Sequence, residues 1–166
     1  MKVSVWGTLA LIFVAVFGLF LSSCDKDDEM TREETIEAAL AEFVADLQSN
    51  PPDSSDISER VKMYLENRPD YFFGSTVTLL NDAGKAIASP YWYRENGGVA
   101  YADLMDAAYE IDTQDWLRQP IDQGVAIWTD PYFDEGGGNI WMRTRSVPVF
   151  IDGAIKAVAT TDMAQE

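Results

Sequence analysis

Trp128-Thr129-Asp130-Pro131-Tyr132-Phe133-Asp134-Glu135-Gly136-Gly137-Gly138-Asn139 is the stretch that decides how this chain is read. It sets three aromatic rings and three carboxylates against a triple glycine, which suits a pocket wall better than a helix or a plain strand. Pro131 removes a backbone donor and fixes φ, while the glycines permit positive φ, so the stretch is expected to be an ordered loop between two strands. Its rings and acids then face a common space.

On the C-terminal side, apolar and polar residues alternate over residues 139–150 and, after the Asp152-Gly153 turn, over 154–161, which predicts two strands. On the N-terminal side a strand is expected at 125–128, with short helical pieces at 114–118 and 103–110. Glu95-Asn96-Gly97-Gly98 reads as a loop, and Pro90-Tyr91-Trp92-Tyr93-Arg94 as an aromatic cluster at a strand exit. Before it, period-two alternation from Tyr71 to Leu79, the turn Asn81-Asp82-Ala83-Gly84 and residues 85–89 predict a hairpin. Further back, Thr31-Arg32-Glu33-Glu34 has the form of a capping box, and Ile36, Leu40, Phe43, Val44 and Leu47 recur at helical spacing, predicting a helix over 32–48. Asn50-Pro51-Pro52 breaks it, and Ile57, Val61, Tyr64 and Leu65 mark a second helix ending before Pro69. Two helices, a hairpin, a helical crossover and three further strands make an α+β fold, with a five-stranded antiparallel sheet, a long N-terminal helix and short crossover helices.

The first 23 residues carry one charge, Lys2, then an apolar run and Leu21-Ser22-Ser23-Cys24. That is the layout of a secretory signal. Leu-Ser-Ser-Cys resembles the lipobox of bacterial lipoproteins, in which Cys24 is acylated and becomes the first mature residue. An uncleaved membrane anchor is the competing reading, since the run is nearly long enough to span a bilayer. Cleavage is favoured because Cys24 is the only cysteine, has no internal disulfide partner and falls at the end of the leader. Residues 1–23 are thus read as a signal peptide, 24–30 as an acidic tether and 31–166 as one domain. The Asp after Cys24 resembles an inner-membrane retention signal in some bacteria, whereas Lys26-Asp27-Asp28 resembles a surface-export signal in others. The expected location is a bacterial membrane, held by lipid and facing the periplasm or the exterior.

The formal charge is −16, with 28 Asp and Glu against 12 Lys and Arg. Nucleic acid is therefore not an expected partner, because phosphate binding requires clustered cations. There is no histidine, which excludes Ser-His-Asp and Cys-His catalytic sets and zinc sites. Asp130, Asp134, Glu135 and Asn139 offer hard oxygen donors, but their spacing fits no EF-hand, and neither a metal nor a cofactor is expected.

Taken together, Tyr91-Trp92-Tyr93-Arg94, Tyr101, Asp115-Trp116, Trp128 through Asn139, Ser146-Val147-Pro148-Val149 and Val158-Ala159-Thr160-Thr161-Asp162 resemble a Cache domain, also called a PDC sensor domain. It is especially similar to those found outside the membrane in PPM-type serine phosphatases and other bacterial signalling receptors. The resemblance covers about residues 71–162. It implies a PAS-like sheet with a ligand pocket between the sheet and the crossover segments. In amino-acid-binding members, positions matching Trp116, Tyr132 and Asp162 line the pocket and take the ligand ammonium. Where those members place an Arg to clamp the ligand carboxylate, this chain has Gln114, and Leu117 and Gln119 replace a Tyr and an Asp. Only Met163-Ala164-Gln165-Glu166 follow Asp162, where such receptors continue into a second lobe, a transmembrane helix and an output domain. The expectation is that a partner reads occupancy, either a transmembrane signalling protein or a second copy docked through the N-terminal helix.

From Asp103 to Glu135 there are nine carboxylates and one cation, Arg118. This imbalance beside aromatic rings favours a cationic or amine-bearing solute. The candidate ligand-binding residues are Trp116, Trp128, Asp130, Tyr132, Asp134, Asp162, Tyr91 and Tyr93, with no catalytic role among them. The competing readings are a structural or interaction lipoprotein without a ligand, and a glycan-binding module using the same rings. A carboxylate hydrolase acting through Asp130 and Asp134 is disfavoured because a domain this small rarely frames a substrate cleft as well as a core.

Overall fold

The computed structural model describes residues 29–165. The expected leader, the lipidation site Cys24 and most of the tether lie outside the described residues.

Helix α1 (Arg32–Ser49) begins at the capping box: Glu34 N–H donates to Thr31 Oγ1 at 3.2 Å, and Thr31 N–H donates to Glu34 Oε2 at 2.7 Å. Its buried residues are the five read from the spacing, with Ala39 added. Helix α2 (Ile57–Glu66) buries Ile57, Val61, Tyr64 and Leu65. The chain leaving α2 is fastened by Arg94, whose guanidinium donates to the carbonyls of Leu65 (2.8 Å), Arg68 (2.6 Å) and Phe72 (3.3 Å). Leu65 lies in the last turn of α2, and Arg68 and Phe72 in the segment that follows it.

Five long strands form the antiparallel sheet: β1 (Gly74–Leu80), β3 (Pro90–Glu95), β4 (Gly98–Asp103), β7 (Trp141–Ile151) and β8 (Ala154–Ala164), in the order β4-β3-β1-β8-β7. Three short strands ride on its edges. They are β2 (Ala86–Ala88) beside β1, and β5 (Ile127–Trp128) and β6 (Tyr132–Phe133) beside β7. The expected α+β architecture with a long N-terminal helix is what the chain forms, with local differences: the strands expected at 85–89 and 125–128 are only the short β2 and β5, and β3 and β4 take their places among the five long strands.

The aromatic cluster at residues 90–94 is strand β3 itself, and the expected loop is a two-residue turn. Asn96 and Gly97 both take positive φ (50° and 78°) and pair Glu95 with Gly98, which launches β4. This is the backbone that a tight hairpin with native twist requires. Residues 103–110, expected to be helical, form turns instead, in which the Asp103 and Asp106 side chains accept from Met105 N–H and Ala108 N–H. The crossover helix α3 (Asp115–Gln123) starts later and runs longer than its expected 114–118, ending where Gly124 takes φ 67°.

The two faces of the sheet differ in chemistry because side chains alternate along each strand. Ala157, Ala159 and Met163 of β8 and Val77 and Leu79 of β1 pack with α1 and α2 into an apolar core. The residues between them, Val158, Thr160 and Asp162 of β8 and Thr76 and Thr78 of β1, look the other way, toward α3 and the loops. That second face is buried yet strongly polar: Thr76, Thr78, Ser89, Thr144, Thr160 and Asp162 are all sequestered there.

Candidate functional site

The polar face closes into a small chamber lined by Thr76, Tyr91, Leu104, Tyr109, Trp116, Tyr132, Asp134, Thr160 and Asp162. Its free space is about 10 Å³, room for about one water-sized group. Register builds it: Gly74 pairs with Asp162 on one side and with Tyr93 on the other, so Tyr91 and Asp162 meet over the glycine. A β-carbon at Gly74 would lie against the Tyr91 hydroxyl and 2.8 Å from Asp162 Oδ2. Only a residue without a side chain leaves room for both groups.

Asp162 is 4% exposed, and its Oδ1 accepts from Thr144 Oγ1 at 2.7 Å. Thr144 Oγ1 in turn bonds the Tyr132 hydroxyl at 2.8 Å. No lysine or arginine lines the chamber. Burial is the main cause that pushes the Asp162 carboxyl up to about 7; the Thr144 bond opposes this and the charge of Asp134 adds to it. Asp134 is 5% exposed and likewise raised, chiefly by burial, although its Oδ1 accepts from Tyr109 Oη at 2.7 Å and its Oδ2 from Gly138 N–H at 3.2 Å. Gly137 permits this turn, since any β-carbon there would collide with the Asp134 carboxylate. The Tyr91 hydroxyl is buried beside Asp162 but forms no well-made hydrogen bond. Burial first, then the charges of Asp162 and Asp134, hold its phenol far above the ordinary value, so it stays neutral and able to donate or accept.

Trp116 and Tyr132 form the wall between this chamber and an outer vestibule of about 520 Å³, lined also by Gln114, Asp115, Gln119, Trp128, Thr129 and Asp130. On the other side, Tyr109 and Asp134 separate the chamber from an acidic surface cleft of about 600 Å³. Trp116 is fixed by its indole N–H, which donates to Tyr109 Oη at 3.1 Å, so the order Trp116, Tyr109, Asp134 is a continuous chain of hydrogen bonds.

The candidate residues thus fall into two adjoining compartments. Tyr91, Asp134 and Asp162 line the chamber; Trp128 and Asp130 line the vestibule; Trp116 and Tyr132 line both. Tyr93 lines neither and stacks on Tyr91 with centroids 5.5 Å apart, backing it from the hairpin side. One face of Trp128 is already covered by the Arg143 guanidinium, 5.2 Å from the ring centroid, and its indole N–H donates to Glu37 Oε1 of α1 at 2.7 Å. Tyr109 was missed by sequence reasoning, which placed it in a helical piece. Gly74 was missed because a glycine at a strand start signals nothing until its neighbours are known.

Residues 57–166 match the family described as the methyl-accepting chemotaxis protein-like first PDC sensor domain. The chain belongs to that family. This PDC sensor domain is similar to the extracellular domain assigned to the histidine kinase soHK1S-Z6, with 30% identity, a TM-score of 0.63, and coverage of 80% of this chain and 53% of that one. It shares its fold with the ligand-binding domain of the Campylobacter jejuni chemoreceptor Tlp3 in complex with L-valine (18% identity, TM-score 0.58, covering 80% and 52%). The same holds for the ligand-binding domain of the Pseudomonas aeruginosa PAO1 amino acid chemoreceptor PctC in complex with GABA (21% identity, TM-score 0.54, covering 80% and 56%). The PDC sensor thus spans about half the length of the structures it matches. No functionally curated protein matches the chain. Among the described residues no helix is long and apolar enough to cross a membrane.

Proposed function

We propose that this PDC sensor domain is an extracytoplasmic module, lipid-anchored through Cys24, that captures a small amine-bearing solute and reports occupancy to a partner protein. The observation that carries the reading is the buried pair of Asp162 and Tyr91, a carboxylate with no cation and a neighbouring hydroxyl that makes no well-formed hydrogen bond, around a space of about 10 Å³. An ammonium group is about water-sized, and it supplies both the missing charge and the missing hydrogen bonds. A carboxylate placed there would meet two acids and no donor cation. The Asp134 carboxylate, on the far wall, adds to the attraction.

The chamber's small volume favours a second reading, an interaction lipoprotein whose pocket is filled by its own Tyr91, Tyr132 and Trp116. The two are separated by thermal melts and calorimetry of the purified full chain in non-ionic detergent at pH 8, with amines, amino acids, organic acids and sugars as probes. The amine reading expects a saturable rise in melting temperature with amines that Asp162→Asn abolishes. Melts unmoved by every probe, together with a co-purifying protein, would establish the second reading instead.

A further inference from the structure

We propose that the ligand is a straight-chain diamine, with one ammonium in the chamber between Asp162 and Tyr91 and the other in the vestibule over Asp130 and Asp115. This rests on the amine reading above and adds the chemistry of the ligand's far end. The chamber holds one water-sized group and no more, so the remainder of a ligand has to leave through one of its two shared walls. Tyr109 and Asp134 close one of them with a 2.7 Å hydrogen bond, which leaves the wall of Trp116 and Tyr132 as the easier way out. Beyond that wall the vestibule offers about 520 Å³, ample for an alkyl chain. Its walls supply the half-buried rings of Tyr132 and Trp128 for methylene groups.

The charged side chains that line the far end are of one sign. Asp115 and Asp130 line the vestibule, and no lysine or arginine does. The nearby cations are committed elsewhere. Arg145 leaves β7 on the opposite face and pairs with Glu37 of α1 at 3.2 Å, while Arg143 stays behind the vestibule wall, against the Trp128 ring and the Thr129 carbonyl, and pairs with Glu33 at 3.7 Å. Arg118 donates to the Gly84 carbonyl and pairs with Asp122 at 2.9 Å. Gln114, on the vestibule wall, spends its amide on the Tyr109 carbonyl at 2.8 Å. A ligand ending in a carboxylate would therefore carry its anion into an acidic field, whereas one ending in a second ammonium would be drawn into it. Asp115 and Asp130 are solvent-exposed, so their contribution is modest: exposed ion pairs change an equilibrium by up to about fivefold each.

Calorimetric titration of the full chain in non-ionic detergent, at pH 8 and low ionic strength, tests this with three probes of one chain length: n-butylamine, 1,4-diaminobutane and 4-aminobutanoate. The expected order is diamine tightest, by about five- to tenfold over the monoamine, and aminobutanoate weakest. The diamine's advantage should shrink as salt is raised. Asp115→Asn with Asp130→Asn should narrow the diamine-to-monoamine ratio toward one, whereas Asp162→Asn should remove binding of both. Equal affinity for butylamine and the diamine overturns the two-ended site while leaving amine recognition in place. A ratio that survives the double substitution overturns the assignment to the vestibule acids. Failure of all three probes to bind overturns the amine reading and this inference with it.

Discussion

Replacing Asp162 with asparagine should make the empty protein more stable at pH 8 while removing its ligand response. In the folded chain the Asp162 carboxyl ionises at about 7, against an ordinary value of 3.8. Below about pH 4 it is protonated whether the chain is folded or not, and it costs nothing. Between about 4 and 7 the folded state binds one more proton than the unfolded state, so stability falls as pH rises, by about 1.4 kcal/mol per unit. Above 7 the loss is complete, with a ceiling on the order of 4 kcal/mol. Asparagine is neutral throughout and keeps an oxygen where Oδ1 accepts from Thr144, while its amide faces the Tyr91 hydroxyl. At about 3–5 °C per kcal/mol for a domain of this size, the variant should melt well above the parent at pH 8 and close to it at pH 4. Asp134 is also raised by burial and adds a slope of the same sign to both proteins, so the difference between the two melting curves from pH 4 to 9 is what isolates Asp162. A parent-to-variant difference that does not change with pH would refute the claim that an uncompensated carboxylate is stored in this chamber.

Gly74→Ala places a β-carbon against the Tyr91 hydroxyl and the Asp162 carboxylate, and overpacking of this kind costs about 1–3 kcal/mol; chemical denaturation should show that loss, and amines should no longer raise the melting temperature. Tyr109→Phe removes the hydroxyl shared by Asp134 Oδ1 and Trp116 Nε1, leaving two buried groups unpaired at a cost of about 2–3 kcal/mol. Because that bond is a main cause holding the Asp134 carboxyl down, its titration by carboxyl-carbon NMR should move upward in the variant. Arg94→Met removes the side-chain donor to the Arg68 and Phe72 carbonyls and one of the donors to the Leu65 carbonyl, and should cost about 2–3 kcal/mol in urea unfolding, with no change in that cost between pH 5 and 9.

The parts of the fold that follow from periodicity were legible in the chain. The i, i+4 spacing in α1 and the capping box at Thr31 fixed the helix to within a residue, and the alternation of Val158, Thr160 and Asp162 with Ala157, Ala159 and Met163 already contains the split between a wet and a dry face. The hairpin of β3 and β4 was lost because Glu95-Asn96-Gly97-Gly98 read as a loop, although Asn-Gly is the pair that a tight hairpin turn favours. In the site, Trp116, Tyr132 and Asp162 line one chamber. The division into chamber and vestibule was not legible, because it depends on how far Trp116 and Tyr132 reach across from α3 and β6. Tyr91 and Tyr93 could not be told apart on paper. Both point to the same face of β3, and only the pairing of Gly74 with Asp162 decides that Tyr91 is the one at the chamber.

The dry and wet faces meet at one edge strand, and this places the long helix next to the site. Trp128 lies on β5, outside β7, where its ring lines the vestibule on one side and packs against the apolar core on the other. Its indole N–H is held by Glu37 of α1 at 2.7 Å, and the same Glu37 oxygen pairs with Arg145 of β7 at 3.2 Å, while Arg143 bridges the Trp128 ring and Glu33. A charge-assisted hydrogen bond to a half-buried carboxylate is worth about 1.5–3 kcal/mol, comparable to what a small ligand gains from a single polar contact. A solute that displaces the indole therefore has to break or re-aim its bond to α1, and a shift of α1 in turn re-shapes the vestibule wall. Because binding and helix position act on one shared contact, whatever free energy couples them runs equally in both directions.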